Sequence, residues 1–363
     1  MSFYSLKITK ILSETSDAKT LYFEIPLEIK PLFQFKAGQF LTIKAMVNGA
    51  EVRRAYSLCT SPDHDIPGVT VKKVAKGKLS VYLNDVIREG DMVDVMPPEG
   101  HFVLEPDHQL SRDHYFIAAG SGITPVMSMI RYVLEHEPKS TCHLLYGNRN
   151  EETIIFKTEL ERLTEKYKDQ VYVTYVLSQP LAKKSGGIGG LFAKKGVDWQ
   201  GLKGRINAGH IKDFLNQNKS TKQENHYYIC GPGDMIDMGE KTLLSSNIDK
   251  KRIHKEYFTT SHNNENADQG IDTAVVTITL KGETFEAKVQ KGKTILDILV
   301  DMKKDPPYSC TSGACSTCMA KVTEGEVTME SCYALDDDEI AAGYILTCQS
   351  HPKTQNVNIT YDV

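Results

Sequence analysis

Five of the eight cysteines lie within 39 residues near the carboxyl end of the chain, and this cluster restricts the fold of that region most strongly. The five are Cys310, Cys315, Cys318, Cys332 and Cys348, and the other three are Cys59, Cys142 and Cys230. In a reducing compartment, clustered thiols favour a metal centre over disulfide bonds. We therefore expect this segment to form a loop that wraps a metal centre.

The spacing of these cysteines indicates the kind of centre. Cys310-x4-Cys315-x2-Cys318, followed after 29 residues by Cys348, is the spacing of a plant-type [2Fe-2S] ferredoxin, in which four thiolates hold the iron. The alternative is structural zinc, but a zinc ribbon normally has a second close cysteine pair, and Cys348 stands alone. Cys332 lies outside the spacing, and we interpret it as a buried or incidental thiol.

Length and composition limit the remaining possibilities. A chain of 363 residues has room for two or three domains, and 40% apolar with 25% charged residues is typical of globular proteins. The net charge of −4 gives no reason to expect nucleic acid or an anionic membrane as a partner. No apolar run of about 18 residues and no secretory signal pattern occurs, so we expect a cytoplasmic protein without a membrane span.

Short strands separated by Gly, Pro, Asn and Asp fill the amino-terminal third of the chain. The pattern predicts a helix over residues 79–86 and strands over residues 4–12, 20–25, 40–47, 52–58, 69–74 and 92–95. Such an arrangement is typical of a small antiparallel β-barrel, which we assign to residues 1–110.

From about His114 the pattern changes to apolar strands that alternate with helices. Five strands, HYFIAAG, CHLLYGN, VYVTYVLS, HYYICGP and IHKEYF, predict a doubly wound parallel sheet over residues 111–260. The predicted helices cover residues 126–136, 153–167 and 235–246. Residues 181–201, rich in Gly and Lys, fit neither period, and we interpret them as an inserted surface loop.

A polar stretch over residues 259–272 reads as a linker, and we assign residues 261–272 to it and residues 273–363 to a third domain. The pattern predicts that this domain begins with a hairpin, continues with a helix near residues 294–302, and then contains the cysteine-rich loop. From Asp272 onward the chain has 14 acidic and 8 basic residues, a net charge of −6. Such a domain suits docking to a basic patch on a partner.

Two short motifs lie in the predicted barrel. Alternation along a strand places Arg54 and Tyr56 on one face and Ala55 and Ser57 on the other, which offers a cation for a phosphate, an aromatic plate and a hydroxyl donor. Gly77-x-x-Ser80 opens a helix whose free N–H groups suit a pyrophosphate. An ordinary exposed strand and a plain helix start are the alternatives.

Two further motifs end strands of the predicted parallel sheet. Gly120-Ser121-Gly122-Ile123-Thr124-Pro125 forms a Gly-rich turn before a helix, the context in which backbone approaches a dinucleotide phosphate. Cys230-Gly231-Pro232 ends another strand at the same carboxyl edge, where open α/β folds bind ligands. Cys230 is either a small apolar strand residue or a thiol near the nicotinamide.

The motifs and their order resemble the ferredoxin-NADP reductase superfamily over residues 1–260, with a plant-type ferredoxin joined at the carboxyl end. The resemblance implies a flavin-binding antiparallel β-barrel, a doubly wound nucleotide domain and a β-grasp ferredoxin domain. Within the superfamily, the cysteine-rich tail is most similar to the reductase subunits of phenylacetyl-CoA epoxidase complexes.

The resemblance also implies a role for each motif. Arg54 would contact the FAD phosphate, Tyr56 would stack on the isoalloxazine, and Ser57 would hydrogen-bond near flavin N5. Glu256 and Phe258 match the acid and the aromatic residue that the family places near the flavin, with core packing as the alternative for Phe258. The implied catalytic residues are Ser57, Cys230 and Glu256. The implied cofactor-binding residues are Arg54, Ala55, Tyr56, Ser57, Val71, Lys72, Gly77, Lys78, Leu79, Ser80, Gly120, Gly122, Thr124, Pro125, Cys230, Gly231, Pro232 and Phe258.

These resemblances imply a reductase that passes electrons from NAD(P)H through FAD and a [2Fe-2S] cluster to a di-iron oxygenase component. A reductase of a ring-hydroxylating or steroid oxygenase or of a desaturase is the first alternative, and a redox-sensing carrier without enzymatic activity is the second. Arg149, Lys183 and Lys184 follow strands at the expected edge, and no acidic residue near Ser178 claims a ribose hydroxyl. We therefore expect NADPH in preference to NADH.

Overall fold

The computed structural model describes residues 2–182, 199–222, 224–258 and 270–363. Lys183, Lys184, most of the predicted insertion and most of the predicted linker lie outside these residues. The helices are α1 (Lys78–Asp85), α2 (Ile123–His136), α3 (Lys157–Lys166), α4 (Ala208–Gln217), α5 (Gly233–Ser245), α6 (Ile295–Asp301) and α7 (Asp337–Ala341). The strands are β1 (Tyr4–Thr15), β2 (Ala18–Glu24), β3 (Phe40–Val47), β4 (Ala50–Ser57), β5 (Gly68–Lys72), β6 (Met92–Val95), β7 (Arg112–Ala119), β8 (Thr141–Asn148), β9 (Val171–Leu177), β10 (Leu202–Lys203), β11 (Glu224–Gly231), β12 (Ile253–Tyr257), β13 (Thr273–Leu280), β14 (Glu283–Gln290), β15 (Met319–Glu324), β16 (Val327–Met329), β17 (Tyr344–Leu346), β18 (Ser350–Pro352) and β19 (Asn356–Thr360).

The first six strands form one antiparallel sheet in the order β4-β3-β6-β1-β2-β5, as the sequence predicts. Side chains that alternate along these strands, such as Leu6 and Ile8 of β1, are fully buried in the barrel core. Helix α1 packs against this sheet with Leu79 and Leu83 facing the core. The end of β4 and the start of α1 therefore lie at one rim of the barrel.

The second sheet is parallel throughout, in the order β10-β9-β8-β7-β11-β12. Alternation along β7 sends Phe116 into one apolar core and Ile117 into another on the opposite face. Burial on both faces confirms the doubly wound arrangement that the apolar strands predict. Helix α2 begins at Ile123, earlier than predicted, with Pro125 in its first turn.

Helix α4 and strand β10 are elements that the sequence pattern did not predict. Helix α4 buries Ile211 and Phe214, and it begins at the Asn207 cap, whose side chain accepts a hydrogen bond from the His210 N–H. Strand β10 has two residues and is too short to show any period. Both follow the Gly- and Lys-rich stretch, where helix and strand patterns are weakest.

The third sheet has five strands in the order β14-β13-β19-β15-β17, and β16 pairs with β18 beside it. β13 and β14 form the predicted hairpin, and β13 runs parallel to β19. Helix α6 begins at a Thr294 capping box and packs Ile295 and Leu299 against the sheet. In the described part of the chain, no helix is long and apolar enough to cross a membrane.

Candidate functional site

A cleft of about 880 Å³, here called the shared cleft, is lined by residues from all three sheets and their loops. The barrel supplies the end of β4 and the start of α1, and the parallel sheet supplies Glu256, Tyr257 and Phe258 from β12 and its end. The cysteine-rich loop supplies Cys310, Thr311, Ser312, Ala314 and Cys315. A ligand in this cleft would touch the barrel and the cysteine loop together.

The four residues Arg54, Ala55, Tyr56 and Ser57 all line the shared cleft. The Arg54 side chain is exposed and donates to the backbone carbonyl of Arg53 at 2.6 Å. Burial raises the pKa of Tyr56, so its ring stays a neutral plate. This end of β4 therefore offers a cation, an aromatic face and a hydroxyl side by side.

The start of α1 forms a second wall of the shared cleft. Gly77, Lys78, Leu79 and Ser80 all line it, and no side chain caps the first turn of the helix. The Ser80 hydroxyl accepts a hydrogen bond from the Val74 N–H at 3.2 Å, which fixes the preceding loop. Uncapped N–H groups at a helix start suit a phosphate.

The structure corrects the prediction for Val71. Its side chain is 1% exposed and packs in the barrel core, because alternation along β5 turns Thr70 and Lys72 toward the cleft instead. Lys72 lines both this cleft and the one at the edge of the parallel sheet. Lys72 is therefore placed to contact two ligands, and the Val71 side chain contacts neither.

A second cleft of about 680 Å³, the sheet-edge cleft, lies at the carboxyl ends of the parallel strands. Its lining includes Gly120, Ser121, Arg149, Ser178, Arg205, Gly231, Pro232 and Phe258. The predicted Gly-rich turn and the end of β11 therefore meet at one edge, as parallel strands require. Phe258 and Lys72 lie between the two clefts, because both residues line both of them.

Three predicted nucleotide-binding residues take other positions. Thr124 lines the shared cleft, and its hydroxyl donates to the Ser121 carbonyl at 3.0 Å. Pro125 is buried within α2. The Cys230 side chain is fully buried in an apolar core and lines neither cleft, which favours the interpretation as a small apolar strand residue.

Gly122 is required by a close approach of two backbones. A Cβ atom on it would lie 2.1 Å from the carbonyl oxygen of Cys230, which cannot move because β11 is a central strand. This contact brings the Gly-rich turn and the Cys230-Gly231-Pro232 turn together. Gly122 therefore shapes the sheet-edge cleft without lining it.

We expect Gly122→Ala to lower the free energy of unfolding by about 1–3 kcal/mol or more, through overpacking against β11. The affinity for pyridine nucleotide should fall with it. Thermal unfolding and a nucleotide titration measure the two effects. The control is Gly209→Ala, at an exposed position in the first turn of α4, where a Cβ atom would lie 3.1 Å from the Asn207 side-chain oxygen and we expect a smaller loss. Equal stability of the two variants would contradict the assigned contact.

Contacts link the side chains of the four predicted ligands. The Sγ atoms of Cys310 and Cys315 lie 3.1 Å apart, and Cys348 contacts both Cys310 and Cys318, which raise the pKa of its thiol. Among the described residues, one group of three or more metal-ligating side chains has all its ligand atoms within 4.8 Å of one another. It consists of Asp63, Glu135 and His136. The four thiols therefore do not converge on one point, as a tetrahedral zinc site requires. Four thiolates are the donor set that would hold a [2Fe-2S] cluster.

The backbone around this site explains the small residues of the loop. Gly313 has a φ of +71°, and a Cβ atom on it would lie 2.6 Å from the Ser331 carbonyl oxygen. The Ser312 N–H donates to the Cys310 sulfur at 3.4 Å, a contact that stabilises a thiolate. Cys332 is partly buried beside Cys318 and Leu335 and forms no hydrogen bond to the other thiols among the described residues.

Comparisons with known proteins follow the same division of the chain. Residues 5–104 match the family model of the oxidoreductase FAD-binding domain, residues 116–241 that of the oxidoreductase NAD-binding domain, and residues 278–353 that of the 2Fe-2S iron-sulfur cluster binding domain. One subunit of the 1,2-phenylacetyl-CoA epoxidase of Escherichia coli (strain K12) is 35% identical, over 99% of this chain and 98% of that protein. The chain belongs to the oxygenase reductases of the ferredoxin-NADP reductase superfamily.

Two other similarities agree with this membership. The ferredoxin reductase component of the 3-ketosteroid-9-alpha-monooxygenase of Rhodococcus rhodochrous is 32% identical, over 98% of this chain and 96% of that protein. The solved structure of phthalate dioxygenase reductase has a TM-score of 0.61 and 26% identity, covering 99% of this chain and 98% of that one. The oxygenase reductase thus has sites for FAD, a pyridine nucleotide and a [2Fe-2S] cluster, as the resemblance implied.

Glu256 is the carboxyl group that the parallel sheet contributes to the shared cleft of the oxygenase reductase. It accepts a hydrogen bond from the Ser57 hydroxyl at 3.4 Å, across the boundary between barrel and parallel sheet. Burial raises the pKa of Glu256 to about 8, and the Ser57 hydrogen bond opposes this only in part. Part of the carboxyl surface remains accessible because it faces the cleft. Ser57 and Glu256 can therefore hold a proton beside a ligand bound there.

Several cleft residues were missed by the sequence analysis. Arg53, Lys76 and Tyr308 line the shared cleft, and Asn148 and Arg205 line the sheet-edge cleft. Arg205 lies just after the Gly- and Lys-rich stretch and carries no motif. A signal existed only for Arg53, which precedes the motif residue Arg54 and shares a strand face with Ala55 and Ser57.

Proposed function

We propose that this oxygenase reductase takes electrons from NADPH and delivers them, through FAD and the cluster, to the di-iron oxygenase component of a phenylacetyl-CoA epoxidase type of complex. The observation that supports it is the shared cleft, where Tyr56 and Ser57 of the barrel and Cys310 and Cys315 of the cysteine loop line one space. A flavin held by the barrel would then border a cluster held by the loop. The flavin exchanges two electrons with the nicotinamide and single electrons with the cluster.

The residues of this chain would serve that transfer by binding and orienting. Arg54 would pair with the FAD phosphate, Tyr56 would cover the ring, and the α1 start would hold the pyrophosphate. Gly120, Gly231 and Pro232 would border the pyridine nucleotide, and Phe258 would separate the nicotinamide from the flavin because it lines both clefts. Cys310, Cys315, Cys318 and Cys348 would hold the cluster.

The acceptor is inferred from the relatives. The chain is similar over its full length to a subunit of 1,2-phenylacetyl-CoA epoxidase, and its acidic third domain suits a basic partner surface. The steroid oxygenase relative, at 32% identity, supports a second candidate acceptor. Reconstitution with each purified oxygenase under NADPH tests this directly. Product from the epoxidase alone supports the proposal, and product from the steroid oxygenase alone overturns this choice of acceptor.

Two guanidinium groups support NADPH as the electron donor. Arg149 follows β8 and Arg205 precedes α4, both are exposed, and both line the sheet-edge cleft. Neither forms an ion pair with a carboxylate of the described residues, so both are available to a phosphate. We infer that they receive the 2′-phosphate of NADPH.

Arg149→Ala and Arg205→Ala are each expected to lower kcat/KM for NADPH about tenfold to a hundredfold, because a hydrogen bond to a charged group contributes about 1.5–3 kcal/mol. The values for NADH should stay within about threefold of the parent protein. Steady-state reduction of ferricyanide measures both. The control is Arg162→Ala on the exposed face of α3, where Arg162 pairs with Glu159. Equal losses with both nucleotides would argue against a phosphate contact.

We further propose domain limits of 1–110, 111–260 and 273–363, joined by a linker over residues 261–272. The three matched regions lie inside these limits, which supports them. We also place the protein in the cytoplasm, where a pool of NADPH and a reducing environment keep thiols available to iron.

A further inference from the structure

Arg53 is a buried cation that links the barrel to the iron-sulfur domain. Its side chain is 7% exposed, and its guanidinium donates to Glu51 of the same strand at 2.8 Å and to Asp305 at 2.9 Å. Asp305 lies in the loop after α6, in the domain that holds the cysteines. A cation withdrawn from water needs such partners, and one of these two comes from another domain.

Aromatic rings complete this environment. The Arg53 guanidinium lies 4.3 Å from the ring centre of Tyr308 and 5.0 Å from that of Phe3, distances at which a cation is attracted to an aromatic face. Tyr308 belongs to the iron-sulfur domain and also lines the shared cleft. Arg53 therefore contacts two residues of the iron-sulfur domain, Asp305 through charge and Tyr308 through the aromatic ring.

The chain between these two contacts and the cluster is short and stiff. Asp305 is followed by Pro306 and Pro307, then by Tyr308, Ser309 and the ligand Cys310. Two prolines fix their own backbone φ angles and restrict the residue before each. If Asp305 moved, Cys310 would therefore move with it, because few backbone torsions between the two residues can rotate freely.

The backbone of Asp305 has a left-handed conformation at this contact. Its φ is +46°, in the left-handed region that Asp and Asn adopt more readily than other side chains. Arg53 lowers the pKa of the Asp305 carboxyl, chiefly through their hydrogen bond, so the pair stays charged near neutral pH.

We propose that Arg53 is a positioning residue, which holds the iron-sulfur domain against the barrel through Asp305 and Tyr308 and so keeps Cys310 on the wall of the shared cleft. This inference rests on the proposed transfer from flavin to cluster and adds the device that fixes their separation. This positioning role does not involve the reduction of the flavin by the nucleotide. The two steps can therefore be separated by experiment.

The test uses the full-length protein with FAD and cluster, mixed with NADPH without oxygen in a stopped-flow spectrometer. For Asp305→Asn, we expect flavin reduction at the parental rate and cluster reduction slowed about tenfold, which corresponds to about 1.4 kcal/mol of barrier. Asparagine is chosen because it has nearly the same shape as aspartate and adopts a positive φ more readily than most other side chains. Small-angle X-ray scattering should show a larger radius of gyration as the domain detaches.

Three comparisons make the result specific. Lys250→Gln removes a second ion pair between domains, Lys250 to Asp337 at 3.2 Å, whose side chains are both exposed, and we expect no effect. Arg53→Gln should slow cluster reduction as Asp305→Asn does, and the double variant should be no slower than the slower single variant. Iron content and the electron paramagnetic resonance spectrum of the cluster should be parental in Asp305→Asn.

The outcomes separate this inference from the proposed function. A parental cluster-reduction rate and an unchanged radius in both Asp305→Asn and Arg53→Gln would overturn the positioning role. Failure of NADPH to reduce the cluster in the parent protein would instead overturn the proposed function. Equal slowing by Lys250→Gln would also count against Arg53, because any loss of interdomain charge would then suffice.

Discussion

Cys348→Ala is expected to abolish electron delivery to the oxygenase while leaving NADPH-driven reduction of ferricyanide by the flavin. Cys348 is 5% exposed and contacts Cys310 and Cys318, so its loss would remove one of the four thiolates that would hold the cluster. The protein should bind FAD and lose the iron, the inorganic sulfide and the cluster absorbance. Iron analysis, visible spectra and the two acceptor assays measure these changes.

Cys332→Ala is the matched control for that experiment. Cys332 lies in the same domain and packs beside Cys318, but it falls outside the spacing of the ligands. We expect full iron content and full electron delivery in this variant. Loss of the cluster in Cys332→Ala, with retention in Cys348→Ala, would reverse the ligand assignment.

Glu256→Gln is expected to lower turnover with the oxygenase about a hundredfold, the scale on which a positioned acid or base contributes. Glutamine keeps the shape and can accept the Ser57 hydrogen bond, but it cannot exchange a proton with a ligand in the shared cleft. The pKa of about 8 in the parent protein should give turnover an inflection near that pH, which the variant lacks. Turnover from about pH 6 to about pH 10 measures both effects.

The Glu256 carboxyl should also make the free energy of unfolding depend on pH, in the direction that its raised pKa sets. Its pKa in the folded protein, about 8, lies above the ordinary value of 4.5. The protein without cofactors is therefore most stable, relative to Glu256→Gln, below about pH 4.5, and this advantage is lost as the pH rises to about 8. Thermal melts of both proteins across this range measure the difference.

Glu240→Gln is the control for both Glu256 measurements. Glu240 lies on α5, pairs with Lys255 at 2.6 Å, and lines neither cleft. Turnover in this variant should keep its inflection near pH 8. If the pH profile of Glu256→Gln kept the inflection of the parent protein, another group would be titrating. Glu256 would then not be the group that exchanges a proton with the ligand.

Both major sheets and the iron-sulfur domain could be predicted from the sequence because each depends on local patterns. The spacing of Cys310, Cys315 and Cys318 indicates one loop, and strands such as β8, buried along their whole length, have an apolar centre. Positions carried over from the family resemblance depend on side-chain direction, which the motif does not fix. The resemblance implies Val71 in the binding site, although β5 turns its side chain into the core and presents Lys72.

Contacts between domains could not be predicted, because they join residues far apart in the chain that carry no shared pattern. Arg53 and Asp305 are 252 positions apart, and Ser57 and Glu256 are 199 apart. The family resemblance implies that Ser57 and Glu256 both lie near the flavin, but it does not predict the hydrogen bond between them. Arg205 was missed because its position in the sheet-edge cleft depends on how β10 and α4 fold back onto the parallel sheet.

One measurement tests the central claim most directly, namely that electrons pass from NADPH to the flavin and then to the cluster within one chain. NADPH is mixed with the oxidised protein without oxygen, and the flavin and cluster absorbances are followed separately through a single turnover. We expect the flavin to bleach first and the cluster to follow, at a rate independent of protein concentration. Cluster reduction that precedes flavin bleaching, or that persists in protein stripped of FAD, would contradict this order.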